Sequence, residues 1–258
     1  MSVEYAPRGL IGVLTPQANT TVEPEFGILC PAGFATLNGR MTSSKSTVEA
    51  RLIDYYESLE QSIAQFANAP LTAITSACTG ASYLIGAQRE DEIFGRLSAS
   101  RGIAVTNSAY AVVAAFRALG ARRIGLVSPY PASLTEASVR YWTSRGLEVA
   151  QVASVSSDAS QFHPIYSIPA SGAAEALAGM KGRSVDAIVM LGTGMPTLGP
   201  ILQTPRVGSA PVFSCMLATV WDAVQRSLGG PADAASLLAF IEGAEWRHRY
   251  MDRCGRIG

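Results

Sequence analysis

The sequence predicts an α/β fold of two pseudo-symmetric halves, each a mostly parallel sheet flanked by helices, with the working cleft between them. Two repeats and one alternation carry this reading. Ile11-Gly-Val-Leu-Thr-Pro16 recurs as Ile124-Gly-Leu-Val-Ser-Pro129, a shift of 113 residues. Ala73-Ile-Thr-Ser-Ala-Cys-Thr-Gly80 recurs as Ala187-Ile-Val-Met-Leu-Gly-Thr-Gly194, a shift of 114. Short apolar runs alternate with longer helix-like ones, the pattern of right-handed crossovers onto a parallel sheet. Ligands of open α/β sheets bind outside the carboxyl ends of the strands. The duplication therefore sets Cys78 on one wall of a shared cleft and Gly192 on the facing wall.

In chain order, strands are expected over 10–15, 34–37, 71–75, 103–105, 124–127, 147–155, 187–191 and 212–214. They are short and apolar on both faces, as buried parallel strands are. Helices are expected over 47–67, 83–101, 109–119, 134–146, 172–180 and 217–228. In the first of these, Glu49, Arg51, Asp54, Glu57 and Glu60 form a polar face opposite Leu52, Tyr55, Leu59, Ile63 and Phe66. The organisation read from this is an N-terminal half over 1–119 with the Cys78 turn and a C-terminal half over 120–228 with the Gly192 turn. A helix or tail over 229–258 falls outside the duplication. No low-complexity linker parts the halves, so a shared interface and exchanged segments are expected.

Composition narrows the class. The 258 residues are 48% hydrophobic and 16% charged with a formal net charge of zero, the profile of a well-buried globular chain. No basic stripe is visible, so nucleic acid is not an expected partner. Arg247, Arg249, Arg253 and Arg256 read as a solvated C-terminal helix or tail. No run approaches the roughly 20 apolar residues of a membrane span, and no apolar signal segment precedes the first strand. A cytoplasmic protein, possibly a homo-oligomer, is the expectation. Cys30, Cys78, Cys215 and Cys254 show no metal-ligand spacing and read as free thiols, so no metal and no cofactor is expected.

Three turns carry the chemistry. Pro16-Gln-Ala-Asn-Thr-Thr-Val-Glu-Pro follows the first strand; a polar turn feeding a helix N-terminus suits a carboxylate or phosphate. Asn19 can add a side-chain donor, or Thr20 or Thr21 can simply cap the helix. Neither a GxGxxG fingerprint nor a Walker A loop is present, which disfavours nucleotides. In Ser76-Ala-Cys-Thr-Gly80 a thiol sits at a strand end beside a helix N-terminus, where a lowered pKa and reactivity are expected. Thr79, Gly80 and the following amides can cradle an oxyanion; the alternative is a small buried cysteine filling the junction. Leu191-Gly-Thr-Gly-Met-Pro196 is the matching turn. Gly192 brings no acid or base there and leaves room for close approach or for a bulky substituent. Tyr130 places a phenol in the same cleft. Cys215 ends a strand near it, His163 in Phe162-His-Pro-Ile-Tyr166 lies on a plausible lid, and Arg40 is the nearest arginine.

Together these turns resemble the aspartate/glutamate racemase superfamily, within it the maleate cis-trans isomerase and arylmalonate decarboxylase branch, over about residues 9–228. The resemblance implies that Asn19 holds a substrate carboxylate, that Cys78 is the attacking thiol of the isomerases, and that Tyr130 binds carboxylate. It also implies that the family's second thiol is replaced by Gly192, beside Thr193. Symmetric two-thiol racemisation does not suit such a site. What the resemblance implies instead is cofactor-independent chemistry on a small dicarboxylate: maleate isomerase-like cis-trans isomerisation through Cys78, or an arylmalonate-type decarboxylation with Cys78 as proton donor. A non-catalytic carboxylate-binding protein is the remaining alternative.

Overall fold

The two repeats build two sheets of one design. The computed structural model describes residues 3–156, 163–180, 184–230 and 232–255; Phe162 and Arg256 lie outside them. The first stretch runs β1 (Gly9–Pro16), α1 (Val22–Leu29), β2 (Phe34–Met41), α2 (Val48–Glu57), α3 (Leu59–Ala64), β3 (Ala73–Ser76), α4 (Gly80–Arg101), β4 (Ala104–Asn107) and α5 (Ser108–Ala118). The second runs β5 (Arg123–Ser128), α6 (Ala132–Ser144), β6 (Glu148–Ser154), a 3₁₀ turn (Pro164–Ser167), α7 (Ala170–Ala178), β7 (Ala187–Met190), α8 (Leu198–Gln203), β8 (Arg206–Val207), β9 (Ala210–Ser214) and α9 (Cys215–Leu228). α10 (Ala234–Glu242) and α11 (Arg247–Cys254) follow.

The first sheet has the order β2-β1-β3-β4 and is parallel throughout. The second has the order β6-β5-β7-β9-β8, and only the short β8 runs antiparallel. Even the register repeats: Ile11 lies opposite Ala73 as Ile124 lies opposite Ala187. The sequence repeat is thus a repeat of topology. Both pairs of homologous turns leave the carboxyl ends of neighbouring central strands, β1 with β3 and β5 with β7.

Each half lends its last helix to the other. α9 packs on β1 and β3 of the first sheet, and α5 packs along α9. Phe116 of α5 meets the ring of Phe213 on β9 at 5.2 Å and that of Trp142 on α6 at 6.3 Å. The two helices start alike: Asn107 Oδ1 accepts from Tyr110 N–H at 2.9 Å, and Ser214 Oγ from Leu217 N–H at 3.1 Å. Such caps satisfy backbone donors left free at a helix start.

Local chemistry explains where the expected elements differ. The helix expected over 47–67 breaks into α2 and α3 at Ser58, whose hydroxyl donates to Asp54 O at 2.6 Å and competes with the helical ladder. α4 begins at Gly80, three residues before its expected start, directly behind Cys78. α8 is the crossover from β7 to β9, as α4 is from β3 to β4, and β8 is an added strand; the apolar pattern disclosed neither. The stretch after Gly229 forms two helices, and Arg249 on the second ties it to α1 by donating to Ile28 O at 2.6 Å. Among the described residues no helix is long and apolar enough to cross a membrane.

Candidate active site

Hydrogen bonds across the cleft join the three turns. Asn19 Oδ1 accepts from the N–H groups of Thr21 (2.9 Å) and Val22 (3.2 Å), so this side chain, rather than Thr20 or Thr21, caps α1. That leaves Nδ2 to donate, and it reaches Thr193 Oγ1 at 3.2 Å. Thr193 in turn donates to Ala77 O at 2.8 Å. Thr21 is free to donate across the cleft to Gly194 O at 2.8 Å. Behind the cysteine, the Tyr56 hydroxyl donates to Cys78 O at 2.5 Å. Thr79 does not cap α4; its hydroxyl meets Tyr130 Oη at 2.8 Å.

These residues enclose a cavity of about 20 Å³ lined by Pro16, Asn19, Leu52, Cys78, Thr79, Gly80, Tyr130, His163, Ile165, Tyr166, Thr193 and Gly194. That is room for about one water, so a four-carbon diacid needs part of the lining to move. Cys78, Asn19, Thr79, Gly80, Tyr130 and Thr193 are therefore brought together. Gly192 stands behind this surface, with its N–H turned toward the Cys215 thiol, which Thr79 also meets. The residues that sequence reasoning missed are Pro16, Leu52, Ile165, Tyr166 and Gly194. Leu52 was legible only as one of several apolar helix positions, whereas Ile165 and Tyr166 belong to the segment 162–166 expected as a lid, whose His163 also lines the cavity.

The electrostatics correct one expectation. The Cys78 thiol is not lowered but pushed up to about 11. Burial disfavours the thiolate, and the N–H groups of Ala81 and Gly80 at the start of α4 offset only part of that cost. Among the described residues no Lys or Arg lines the cavity. Arg40 donates to Pro16 O (3.4 Å) and Asn19 O (3.1 Å) and pairs with Glu23, bracing the first turn from outside. Rapid alkylation at neutral pH is accordingly expected of the exposed Cys254, with Cys78 reacting slowly and faster as pH rises. Burial also holds the Cys215 thiol up at about 12 and, with Arg51, His163 down at about 4, so both are neutral at pH 7. Among the described residues no group of three His, Cys, Asp or Glu is placed to hold a metal ion.

Ile165 explains the second turn. Gly192 has φ of +82°, and a Cβ there would lie 2.6 Å from Ile165 Cδ1, 3.1 Å from Pro129 Cγ and 3.3 Å from Tyr130 Oη. At Gly194 a Cβ would lie 2.8 Å from the Tyr166 ring. The glycines admit the 3₁₀ turn of the protein itself. Gly192→Cys is therefore expected to cost about 2–4 kcal/mol, from overpacking and the left-handed backbone together. Adding Ile165→Ala should return the steric part only. Urea melts of the single and double variants check this, and an unchanged midpoint for Gly192→Cys would contradict it.

A sequence profile of the arylmalonate decarboxylase family matches residues 11–238. The chain belongs to this family. Within reach of the family, it is 28% identical to the maleate isomerase of Nocardia farcinica over 231 residues, covering 86% of this chain and 90% of that one. It is 26% identical to that of Geobacillus stearothermophilus over 229 residues, covering 82% and 88%. Among solved structures, a cysteine-to-alanine variant of the maleate isomerase Iso from Pseudomonas putida S16 with maleate superposes with a TM-score of 0.77 at 25% identity, covering 93% of this chain and 99% of that one. A cysteine-to-serine variant of the Nocardia farcinica maleate cis-trans isomerase, carrying a covalently bound succinylcysteine intermediate, gives 0.74 at 25% identity over 89% and 98%. Arylmalonate decarboxylase shares the fold, with a TM-score of 0.68 at 20% identity over 86% and 94%.

Proposed function

We propose that this protein is a cofactor-independent cysteine enzyme that converts a small cis-dicarboxylate of the maleate type to its trans isomer through Cys78. The observation that carries the reading is a single thiol facing a cavity, lined among the described residues by no Lys or Arg, together with Asn19, Thr79, Tyr130 and Thr193. The relatives named maleate isomerase, and the succinylcysteine adduct held by one of them, support it.

In this reading the neutral donors Asn19 Nδ2, Thr79 and Tyr130 orient a carboxylate beside Cys78. The sulfur adds to one alkene carbon as the π pair moves onto the other carbon and its carboxylate, giving an enediolate. Because burial holds the thiol neutral, its proton passes to a carboxylate oxygen as the C–S bond forms. The carbon–carbon bond is now single and turns. The pair then returns, the C–S bond breaks and the proton goes back to sulfur. Nothing is supplied from outside, and preorganised dipoles replace water around the transient charge.

One observation favours a second reading. A thiol held neutral is a proton donor, and it suits protonation of the enediolate left when a malonate-type acid loses carbon dioxide. Maleate and phenylmalonate, each incubated in deuterated water, separate the two. Fumarate with little deuterium on carbon and no carbon dioxide is expected. Carbon dioxide with deuterium on the remaining acid would replace isomerisation by decarboxylation. Succinate binding without turnover of either would leave a carboxylate-binding protein.

A further inference from the structure

Glu25, in the first turn of α1, stands apart from the cavity yet is 5% exposed and ties together the helices that follow the first and second turns. Its Oε1 accepts from Thr197 N–H at 3.0 Å, at the entrance to α8. Its Oε2 is buried without a hydrogen-bond partner, and so is Thr197 Oγ1 beside it. One turn earlier, Thr21 holds Gly194 O. Helix α1 thus grips both ends of the segment from Gly194 to Thr197, which carries the Gly194 side of the cavity.

Resting on the site proposed above, we infer that Glu25 is a positioning residue whose protonated carboxyl, with Thr21, clamps the Gly194–Thr197 segment onto α1, and that loss of its proton slackens the clamp and misplaces the Thr193–Gly194 wall. In the protonated acid Oε1 accepts from the amide while Oε2–H can turn to donate to Thr197 Oγ1, pairing the two atoms left without a partner. The anion keeps the amide bonds of Thr197 and Leu198 and can accept from the Thr197 hydroxyl as well, but it puts a negative charge in a buried site.

The surroundings favour the neutral form. At the start of α8 the amides of Thr197 and Leu198 and the Thr197 hydroxyl face it. From α11 the facing titratable group is Tyr250, whose hydroxyl lies 2.7 Å from the Cβ position of Gly199 and whose own proton is held more tightly by burial first, then by Cys254 and Glu25. Arg249 on α11 is spent on Ile28 O and Leu29 O at the far end of α1, and Arg253 lies by Gly27. α9, also against α1, carries Cys215 and the paired Asp222 and Arg226. Glu23 on the outer face of α1 is paired to Arg40. Burial accordingly moves the Glu25 carboxyl up to about 8, between His163 at about 4 and Cys78 at about 11.

The test is a pH series from about 6 to 9.5 on wild type, Glu25→Gln and Glu25→Ala, reading kcat/KM on maleate and, by infrared difference spectroscopy, the protonated carboxyl band. Wild type should lose roughly fivefold or more in kcat/KM with a break near 8, matched by the fading band. Glu25→Gln supplies one acceptor and one donor as the protonated acid does, so its band is absent and its profile should run flat through that break. Glu25→Ala should be weak at every pH. A break that persists in Glu25→Gln, or a band that titrates in the ordinary carboxylate range, overturns the inference even if Glu25→Ala fails to fold. If wild type does not turn over maleate at all, the proposed function fails separately. The clamp is then read from succinate affinity by calorimetry over the same series, with the same two results deciding it.

Discussion

Cys78→Ala is expected to lower kcat/KM on the isomerised acid by at least about 10²-fold, the loss typical of a missing nucleophile or general acid. The side chain is 3% exposed, and its removal leaves the turn's other bonds intact, Tyr56 to Cys78 O and Thr193 to Ala77 O. Far-ultraviolet circular dichroism and succinate binding should therefore change little while turnover falls. Cys30→Ala and Cys254→Ala, remote from the cavity lining, should keep turnover within a factor of about two, since surface and peripheral changes stay near ±0.5 kcal/mol. A Cys78→Ala variant with full turnover would make this thiol a packing residue and remove the proposed mechanism.

Arg145→Ala is expected to destabilise the fold by about 3–5 kcal/mol, the cost of stranding one partner of a buried pair. Arg145, the C-cap of α6, meets Glu90 on α4 at 2.5 Å, with side chains 12% and 0% exposed. Tyr141 Oη donates to Glu90 Oε2 at 2.5 Å and Asn107 Nδ2 to Oε1 at 2.8 Å. The pair therefore joins the helix that starts behind Cys78 to a helix of the second half. Burial already moves the Glu90 proton affinity up despite these donors, so without Arg145 the carboxyl must take a proton or sit charged and underpaired. For a chain of this size the melting temperature should fall by roughly 10 °C. Glu90→Gln in the same background should recover much of it. Calorimetry decides, and a loss under about 1 kcal/mol would show that the pair is not what fastens the halves.

Glu25 and Cys78 both carry raised pKa values, but only Glu25 affects stability across the neutral range. Its folded value of about 8 lies above its ordinary 4.5, so the folded chain holds a proton that the unfolded chain releases between them. Its contribution is complete below about 4.5 and is lost as pH climbs to about 8. This direction is opposite to that of a salt-bridged surface carboxylate such as Glu57, which Arg89 holds low.

Much of the architecture was legible because it is written in short-range pattern. The strand ends expected at Thr15, Thr75, Val127 and Leu191 lie within one residue of those observed, because apolar runs closed by polar or glycine turns mark them, and those runs repeat at nearly one offset. The same repeat puts Cys78 and the Gly192 turn at equivalent strand ends, since equivalent strands in equivalent sheets put their turns on a common rim. The break at Ser58 and the small α8 and β8 elements were not legible. Each depends on a single side-chain bond or on packing from elsewhere in the chain, and neither leaves a period in the sequence.

By itself, then, the sequence determined the two-sheet design, the identity of the candidate nucleophile and the absence of Lys and Arg from the turns around it, all of which reside in local residue order. Only the tertiary structure decided three further things. Asn19 caps α1 and bonds Thr193, two residues 174 positions apart. Ile165 takes the space that Gly192 leaves. The Cys78 thiol is held neutral rather than activated. The physical reason is common to all three: hydrogen bonds, van der Waals contacts and desolvation act over a few ångströms, and which distant residues come within that range is set by the packing of helices exchanged between the halves.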